Sequence, residues 1–285
     1  EPEGRGLGAA AWVMGYRIAM IASGSLALIL ASRLNWTAAY LCMAALMAVG
    51  VVTILMSPEP EDAQVAPKSM AEAVWGPLSE FLSRPMAVAL LGLIVLYKLG
   101  DAFAGALTTS FLLRGMQFSS EDIGVVRAFG MGATILGAFI GGGLMPRLGL
   151  FRSLFVFGVL QALSNLSFMW LAWTGKSYAV MAFAVGVENL TGGMGTAAFV
   201  ALVMSLCNHR YTATQFALLS SVEALGRVFL GWPAAKLVGA AGWGPFFFVT
   251  FLAALPGLWL LWVLRKPVAQ HAELNAGRGE AEAPC

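Results

Sequence analysis

An all-α, polytopic membrane protein is the fold class this chain predicts, on three observations. Hydrophobic residues fill 59% of its 285 positions and charged residues only 11%, where a soluble domain is about a quarter charged. The apolar residues come in runs long enough to cross a bilayer as helices, which takes about 20 residues each. The runs are too long for barrel strands and lack their alternation. A net charge of +2 gives nucleic acid no electrostatic reason to bind. His209 and His271 stand alone, and Cys42, Cys207 and Cys285 show no ligand spacing, so no metal or cofactor is expected.

Taken in order, the runs predict eight spans: Gly8–Ala31, Trp36–Met56, Met86–Leu113, Ile123–Met145, Ser153–Trp173, Tyr178–Leu206, Thr214–Val238 and Pro245–Leu264. The first begins almost at once behind Glu1, with no signal peptide, so an N-terminal part of the protein is expected to be missing. An even number of spans puts both termini on one side. Arg5, Lys68, Arg84, Arg147, Arg152, Arg210, Arg265, Lys266 and Arg278 fall on that side, against Arg33, Arg114, Lys176 and Lys236 on the other. The bias predicts cytoplasmic termini.

The longest connection, Ser57 to Arg84, opens with the solvated stretch SPEPEDAQVAPK. Ser69 and Glu72 then form an S-x-x-E capping box. Behind it Met70, Val74, Leu78, Phe81 and Leu82 share one face, which predicts an amphipathic helix on the cytoplasmic membrane surface. The chain beyond Lys266 is polar and rich in Ala, Glu and Gly, the composition of a disordered tail. Glycines inside the spans, as in Gly137-x-x-x-Gly141 and Gly192-Gly193-x-Gly195, suit close helix packing. The second cluster, directly after Glu188 and Asn189, equally suits a deformable segment that lines a ligand.

Charge at membrane depth carries the functional signal. Arg17, Lys98, Asp101, Arg127, Glu188, Glu223 and Arg227 lie in or near the spans. Unpaired, they would cost about 15–25 kcal/mol, more than a typical domain's stability, so they pair or meet water. Lys98 and Asp101, three apart, share a helix face; Glu223 and Arg227, four apart, predict a structural ion pair. The second, fifth and eighth spans carry no charge in their cores. That rhythm predicts a polar cavity lined by the charged spans and shielded by the others. Tyr16, Tyr97, Thr108, Thr109, Gln161, Asn165, Asn189 and Gln215 add uncharged polar groups, of which Gln161 and Asn165 are expected to serve packing.

The stretch GGLMPRLGLFR, Gly142 to Arg152, resembles the loop motif G-x-x-x-D-R-x-G-x-x-R of the major facilitator superfamily. Gly142, Arg147, Gly149 and Arg152 match, while Pro146 replaces the Asp. The longer strings YKLGDAFAGALTTSFLLRG, ENLTGGMGTAAFVALVMSLCN and TATQFALLSS, with the opening RGLGAAAWVMGYRIAM, resemble the AmpG family of muropeptide permeases of Gram-negative bacteria. The resemblance runs from Arg5 to about Arg265. It implies a helix bundle in which the eight spans are helices 5–12 of twelve. Residues 1–56 would close the N-terminal half and 57–84 form the central loop. Residues 85–266 would be the C-terminal half-bundle and 267–285 the tail.

The resemblance further implies a monomeric, multi-pass protein of the bacterial inner membrane. It would import anhydromuropeptides from periplasm to cytoplasm on the proton gradient, in peptidoglycan recycling, with a link to β-lactamase induction. Its partners would be a small glycopeptide substrate, protons and lipid. Residue type and depth then suggest roles. Arg17, Lys98 and Arg127 suit substrate carboxylates; Tyr16, Asn189 and Gln215 suit sugar hydroxyls; Asp101, then Glu188, suit the coupling proton. Without a nucleophile–base pair or metal set at depth, an enzyme is not expected. A permease for another solute and a non-transporting membrane subunit are the other readings.

Overall fold

The computed structural model describes residues 34–56, 70–208 and 212–266, with 19, 22, 23, 27, 30, 31 and 268 as isolated positions. The expected first span, the Ser69–Glu72 capping box and the tail beyond Val268 lie outside the described residues. The chain divides into two compact units, 1–66 and 67–285. The described residues form helices and no strand.

The first unit holds α1, Trp36–Met56. Asn35 starts it, its side-chain oxygen accepting from Ala38 N at 2.8 Å, which satisfies one of the free amides of the first turn. In the second unit α2 (Met70–Leu82) precedes α3 (Ala87–Tyr97) and α4 (Leu99–Ser110), which a π turn, Phe111–Gly115, extends. Then follow α5 (Ser120–Leu148), α6 (Leu150–Thr174), α7 (Tyr178–Leu206), α8 (Thr212–Phe229), α9 (Gly231–Ala241) and α10 (Trp243–Val263).

Six stretches among the described residues are long and apolar enough to span: Trp36–Met56, Ala87–Gly115, Glu121–Leu148, Leu150–Thr174, Tyr178–Leu206 and Trp243–Val263. Eight were expected. The first falls outside the described residues, and the seventh is two helices, α8 and α9, that meet at a turn on Leu230. The third is also interrupted, at Lys98, with φ −95° and ψ 0°.

Local sequence accounts for most helix ends. Ser119 and Asp122 exchange side-chain bonds with each other's amides at 3.1 and 3.0 Å, a capping box that starts α5. Between α5 and α6 the stretch matched to the loop motif is a joint of one residue. The α5 helix runs on through Pro146 and Arg147 to Leu148, and Gly149 turns the chain at φ 76°, where a side chain is strained. Gly175 and Gly242 turn at φ 82° and 83°.

The α5 and α7 helices pack backbone to backbone. A Cβ on Gly137 would meet the Leu190 carbonyl, one on Gly141 would sit 2.8 Å from Met194 Cα, and one on Gly193 would meet the Thr134 carbonyl. The expected packing role of Gly137-x-x-x-Gly141 is thus realised. Gly142, the motif residue beside it, has nothing within 4 Å of that position. The α6 helix, one of the charge-free spans, is the most buried of the six spans. Its bareness of charge reflects packing against α7 and α10. Gly158 admits Leu258 of α10, whose Cδ2 lies 2.7 Å from where a Cβ would stand. Gln161 and Asn165 are buried in it.

The apolar interior is layered. One cluster gathers Leu90, Leu93, Ile94, Tyr97, Leu154, Phe157, Met194, Leu202 and Leu261. A second gathers Phe103, Phe111, Phe168, Met181, Val185, Phe246 and Phe247. It is tied together by rings such as Phe111–Phe247, with centroids 4.8 Å apart, and Phe168–Phe247, 5.2 Å apart. On each of four helical stretches the change from one cluster to the other spans a polar step. These are Lys98 and Asp101, Gln161 and Asn165, Glu188 to Thr191, and Thr250.

Candidate functional site

The polar layer between the two clusters holds the candidate site. Lys98 stands at the break between α3 and α4 and is 7% exposed. Helix breaks at depth survive only where neighbours satisfy the backbone. Here Tyr97 anchors the approach, its hydroxyl donating to the Leu154 carbonyl at 2.9 Å and its ring stacked on Phe199 at 5.7 Å. The Lys98 ammonium donates to Thr196 Oγ1 at 3.1 Å and lies 3.7 Å from Asp101 Oδ2. Phe199 lies 6.0 Å under it, within cation–π range. The pairing of Lys98 with Asp101 follows from their spacing.

Glu188 enters the layer from α7, eight residues before Thr196. Its Oε2 accepts from Asn189 Nδ2 at 2.7 Å. Asn189 is held in turn by Thr134 of α5, whose hydroxyl lies 2.9 Å from Asn189 Oδ1. Two carboxyl groups and one ammonium thus belong to a layer bounded above and below by apolar side chains, and of the two carboxyl groups Asp101 is the one within ion-pair distance of Lys98. Lys98 can neutralise one of them. The other requires a proton, water or a cationic ligand group to avoid the cost of a bare charge.

The remaining candidates do not join this cluster. Arg127 of α5 donates from Nη2 to Thr109 Oγ1 at 2.5 Å and is exposed. Thr109 lies eight residues past Asp101, about 12 Å along a helix. Gln215, expected at the substrate, is 1% exposed at the start of α8 and serves another cluster. There Gln215 Nε2 donates to Glu80 Oε2 at 2.6 Å and to the Pro77 carbonyl at 3.0 Å, and its Oε1 accepts from Asn208 N at 2.6 Å. Glu80 also pairs with Arg84 at 2.8 Å, and Arg84 Nη1 donates to the Leu206 carbonyl at 2.5 Å. This network ties α2 to the end of α7 and the start of α8. Burial works against the Glu80 carboxylate, but hydrogen bonds from Arg84, Gln215 and Asn208 hold its carboxyl below the usual value.

Tyr16 and Arg17 lie outside the described residues, as does the Arg227 side chain, so the expected pair with Glu223 does too. Arg147 and Arg152 are exposed on either side of Gly149. Thr196 and Thr134 were not among the sequence candidates. The available signal for Thr196 was its place on α7, eight residues past Glu188, behind a run of glycines.

Comparison with known proteins agrees with the helical pattern. The model of the Major Facilitator Superfamily matches residues 1–231. An anhydromuropeptide permease of Escherichia coli K12 is 51% identical over 275 residues, 96% of this chain and 56% of that protein. A putative transporter, AmpG 4, of Rickettsia conorii is 33% identical over 276 residues, 94% of this chain and 66% of that protein. The putative transporter AmpG 2 of Rickettsia prowazekii is 28% identical over 264 residues, 92% of this chain and 64% of that protein. The chain therefore spans between about half and two thirds of the length of these relatives.

Proposed function

The chain belongs to the major facilitator superfamily as a multi-pass membrane protein, and on that premise we propose that it forms the larger part of a proton-driven importer of anhydromuropeptides. The similarity to the Escherichia coli permease supports the substrate class. On this reading the spans correspond to helices 5–12 of twelve. Residues 1–56 end the N-terminal half, 57–84 join the halves, 85–266 form the C-terminal half and 267–285 a tail. The protein is a monomer in the bacterial inner membrane with both termini cytoplasmic. It carries a muropeptide and protons from periplasm to cytoplasm and is not an enzyme. Returning cell-wall fragments serves peptidoglycan recycling and supplies the signal for β-lactamase induction.

The observation that carries the coupling is a lysine–aspartate pair whose ammonium is also held by Thr196 of α7, the helix that carries the second carboxyl group, Glu188. Lys98 lies 3.7 Å from Asp101, and that pair nearly closes its own charge. Glu188, which makes no ion pair among the described residues, is the better group to hold the proton, ahead of Asp101. In the loaded state a substrate carboxylate draws Lys98 away from Asp101. The freed carboxylate then competes for the proton, and the pair titrates as a unit. Thr196 holds the ammonium between turnovers. Arg17, Tyr16 and Arg127 remain candidates for substrate groups beyond this layer.

The test is uptake of a radiolabelled anhydromuropeptide into cells across a range of external pH. Glu188→Gln is expected to abolish accumulation against a gradient while leaving exchange of internal for external substrate. Accumulation with unchanged pH dependence in Glu188→Gln would refute its coupling role.

A further inference from the structure

We propose that Asn189 and Thr134 act as positioning residues for the Glu188 carboxyl group and not as ligands of the substrate. The inference rests on the reading that Glu188 carries the coupling proton, and it reassigns an amide whose residue type suggests sugar binding.

Asn189 has both of its amide hydrogens committed. The two hydrogens of Nδ2 go to Glu188 Oε2 at 2.7 Å and to the Val185 carbonyl at 2.9 Å. Its Oδ1 accepts from Thr134 Oγ1 at 2.9 Å. Reversing the amide would turn an oxygen toward two acceptors and two hydrogens toward a hydroxyl, so the three partners fix its orientation. A sugar oxygen could accept a hydrogen bond from Asn189 only by displacing Glu188 or the Val185 carbonyl. The amide is also fixed by shape: a Cβ on Gly130 would lie 2.9 Å from Asn189 Nδ2 and 3.1 Å from its Cγ. The absence of a side chain at Gly130 makes the room in which the amide sits.

The chain of bonds runs from α5 through Asn189 to the carboxyl. Thr134 Oγ1 is also 3.1 Å from the Gly130 carbonyl, so its one hydrogen has two acceptors on the same face, and Asn189 takes the shorter. Loss of the Thr134 hydroxyl removes the group that holds the Asn189 oxygen away from Glu188. The donor on Glu188 is then held less firmly, by the Val185 carbonyl and the space at Gly130 alone. Because that donor favours the ionised carboxyl, its loss moves protonation to higher pH. The other charged residues of the surrounding elements are Lys98 and Asp101 at the α3–α4 junction, Glu121, Asp122, Arg127 and Arg147 on α5, Arg152 at the start of α6, and Glu223 and Arg227 on α8. The substitutions below change none of these.

The experiment follows the carbonyl stretch of protonated Glu188 by infrared difference spectroscopy during a pH titration of the purified full-length protein. Glu188→Gln identifies the band. Thr134→Val, nearly isosteric, is expected to raise the midpoint by up to about one pH unit, the limit being complete loss of the Asn189 bond to the charged carboxyl. Thr134→Ser is expected to restore it, and Asn189→Leu to shift it at least as far as Thr134→Val. An unchanged midpoint in Thr134→Val overturns the inference, as does the absence of any titrating band that Glu188→Gln removes. If the midpoint shifts as expected while Glu188→Gln still accumulates substrate, the positioning role stands and the coupling role falls.

Discussion

Replacing Glu80 by Gln tests the network that ties α2 to the ends of α7 and α8. Glu80 accepts four side-chain donors: Arg84 Nε at 3.1 Å, Arg84 Nη2 at 2.8 Å, Gln215 Nε2 at 2.6 Å and Asn208 Nδ2 at 3.3 Å. The Arg84 pair is partly exposed, at 19% and 32% of the two side chains. Solvent screening leaves such an i, i+4 pair about 0.5 kcal/mol. The Gln215 donor is buried, and a bond from it to a charged acceptor contributes about 1.5 kcal/mol. Asn208 is long and adds little. The loss sums to about 2 kcal/mol, which lowers the midpoint of thermal unfolding by about 4–8 °C for a unit of this size. Thermal unfolding in detergent at pH 7 measures it. The carboxyl of Glu80 sits below its ordinary value in the folded protein. Its contribution is therefore complete above the ordinary carboxylate range and is lost as pH falls through the lowered value. Wild type and Glu80→Gln are expected to differ fully at pH 7 and to converge in strong acid. Equal midpoints at pH 7, or a difference that survives undiminished acidification, would refute the account.

Gly137→Leu on α5 drives a side chain into the Leu190 carbonyl of α7; overpacking here is expected to cost at least about 3 kcal/mol, read as lost folded yield in membranes. Gly149→Ala asks a side chain to adopt φ 76° at the α5–α6 joint, and a destabilisation of about 1–2 kcal/mol is expected by thermal unfolding. Phe111→Ala empties the centre of the aromatic cluster, where the residue is 0% exposed, at a cost of about 3–5 kcal/mol by the same measurement. Lys98→Met leaves Asp101 and Glu188 facing each other without the ammonium; substrate exchange is expected to fall at least tenfold, with a smaller loss in Lys98→Arg.

Helical spacing made the pairing of Lys98 and Asp101 legible, because three residues along a helix bring two side chains to one face. The six spans were legible for the same reason: bilayer length and apolar composition are local properties. The interruption at Lys98 was not. No proline or glycine immediately precedes it, and its supports, Leu154 and Thr196, come from helices far along the chain. Gln215 shows the limit of arguing from residue type. Its depth suggested a cavity, yet its partner Glu80 is 135 positions away, on a helix whose docking no local pattern records. Asn189 was recognised as polar at depth, but its role depends on Thr134, which as a lone threonine in a span carries no signal. The charge-free core of α6 serves two surroundings at once: part of the helix is buried against α7 and α10 while Leu163, Trp170 and Trp173 are exposed, since apolar packing and lipid ask for the same residues.

The joint between α5 and α6 has a mechanical consequence. With Gly149 alone between two long helices, there is no slack in the chain at that end. The glycine contacts of α5 with α7 remove play along their length as well. Tilting α5 must therefore carry its neighbours with it, and the three behave as one lever. Bending is easier where a helix is already interrupted, and among the described residues Lys98 and Leu230 are two such places. One of these holds the ammonium of the polar layer, so a change in the angle between α3 and α4 also changes how far that charge reaches.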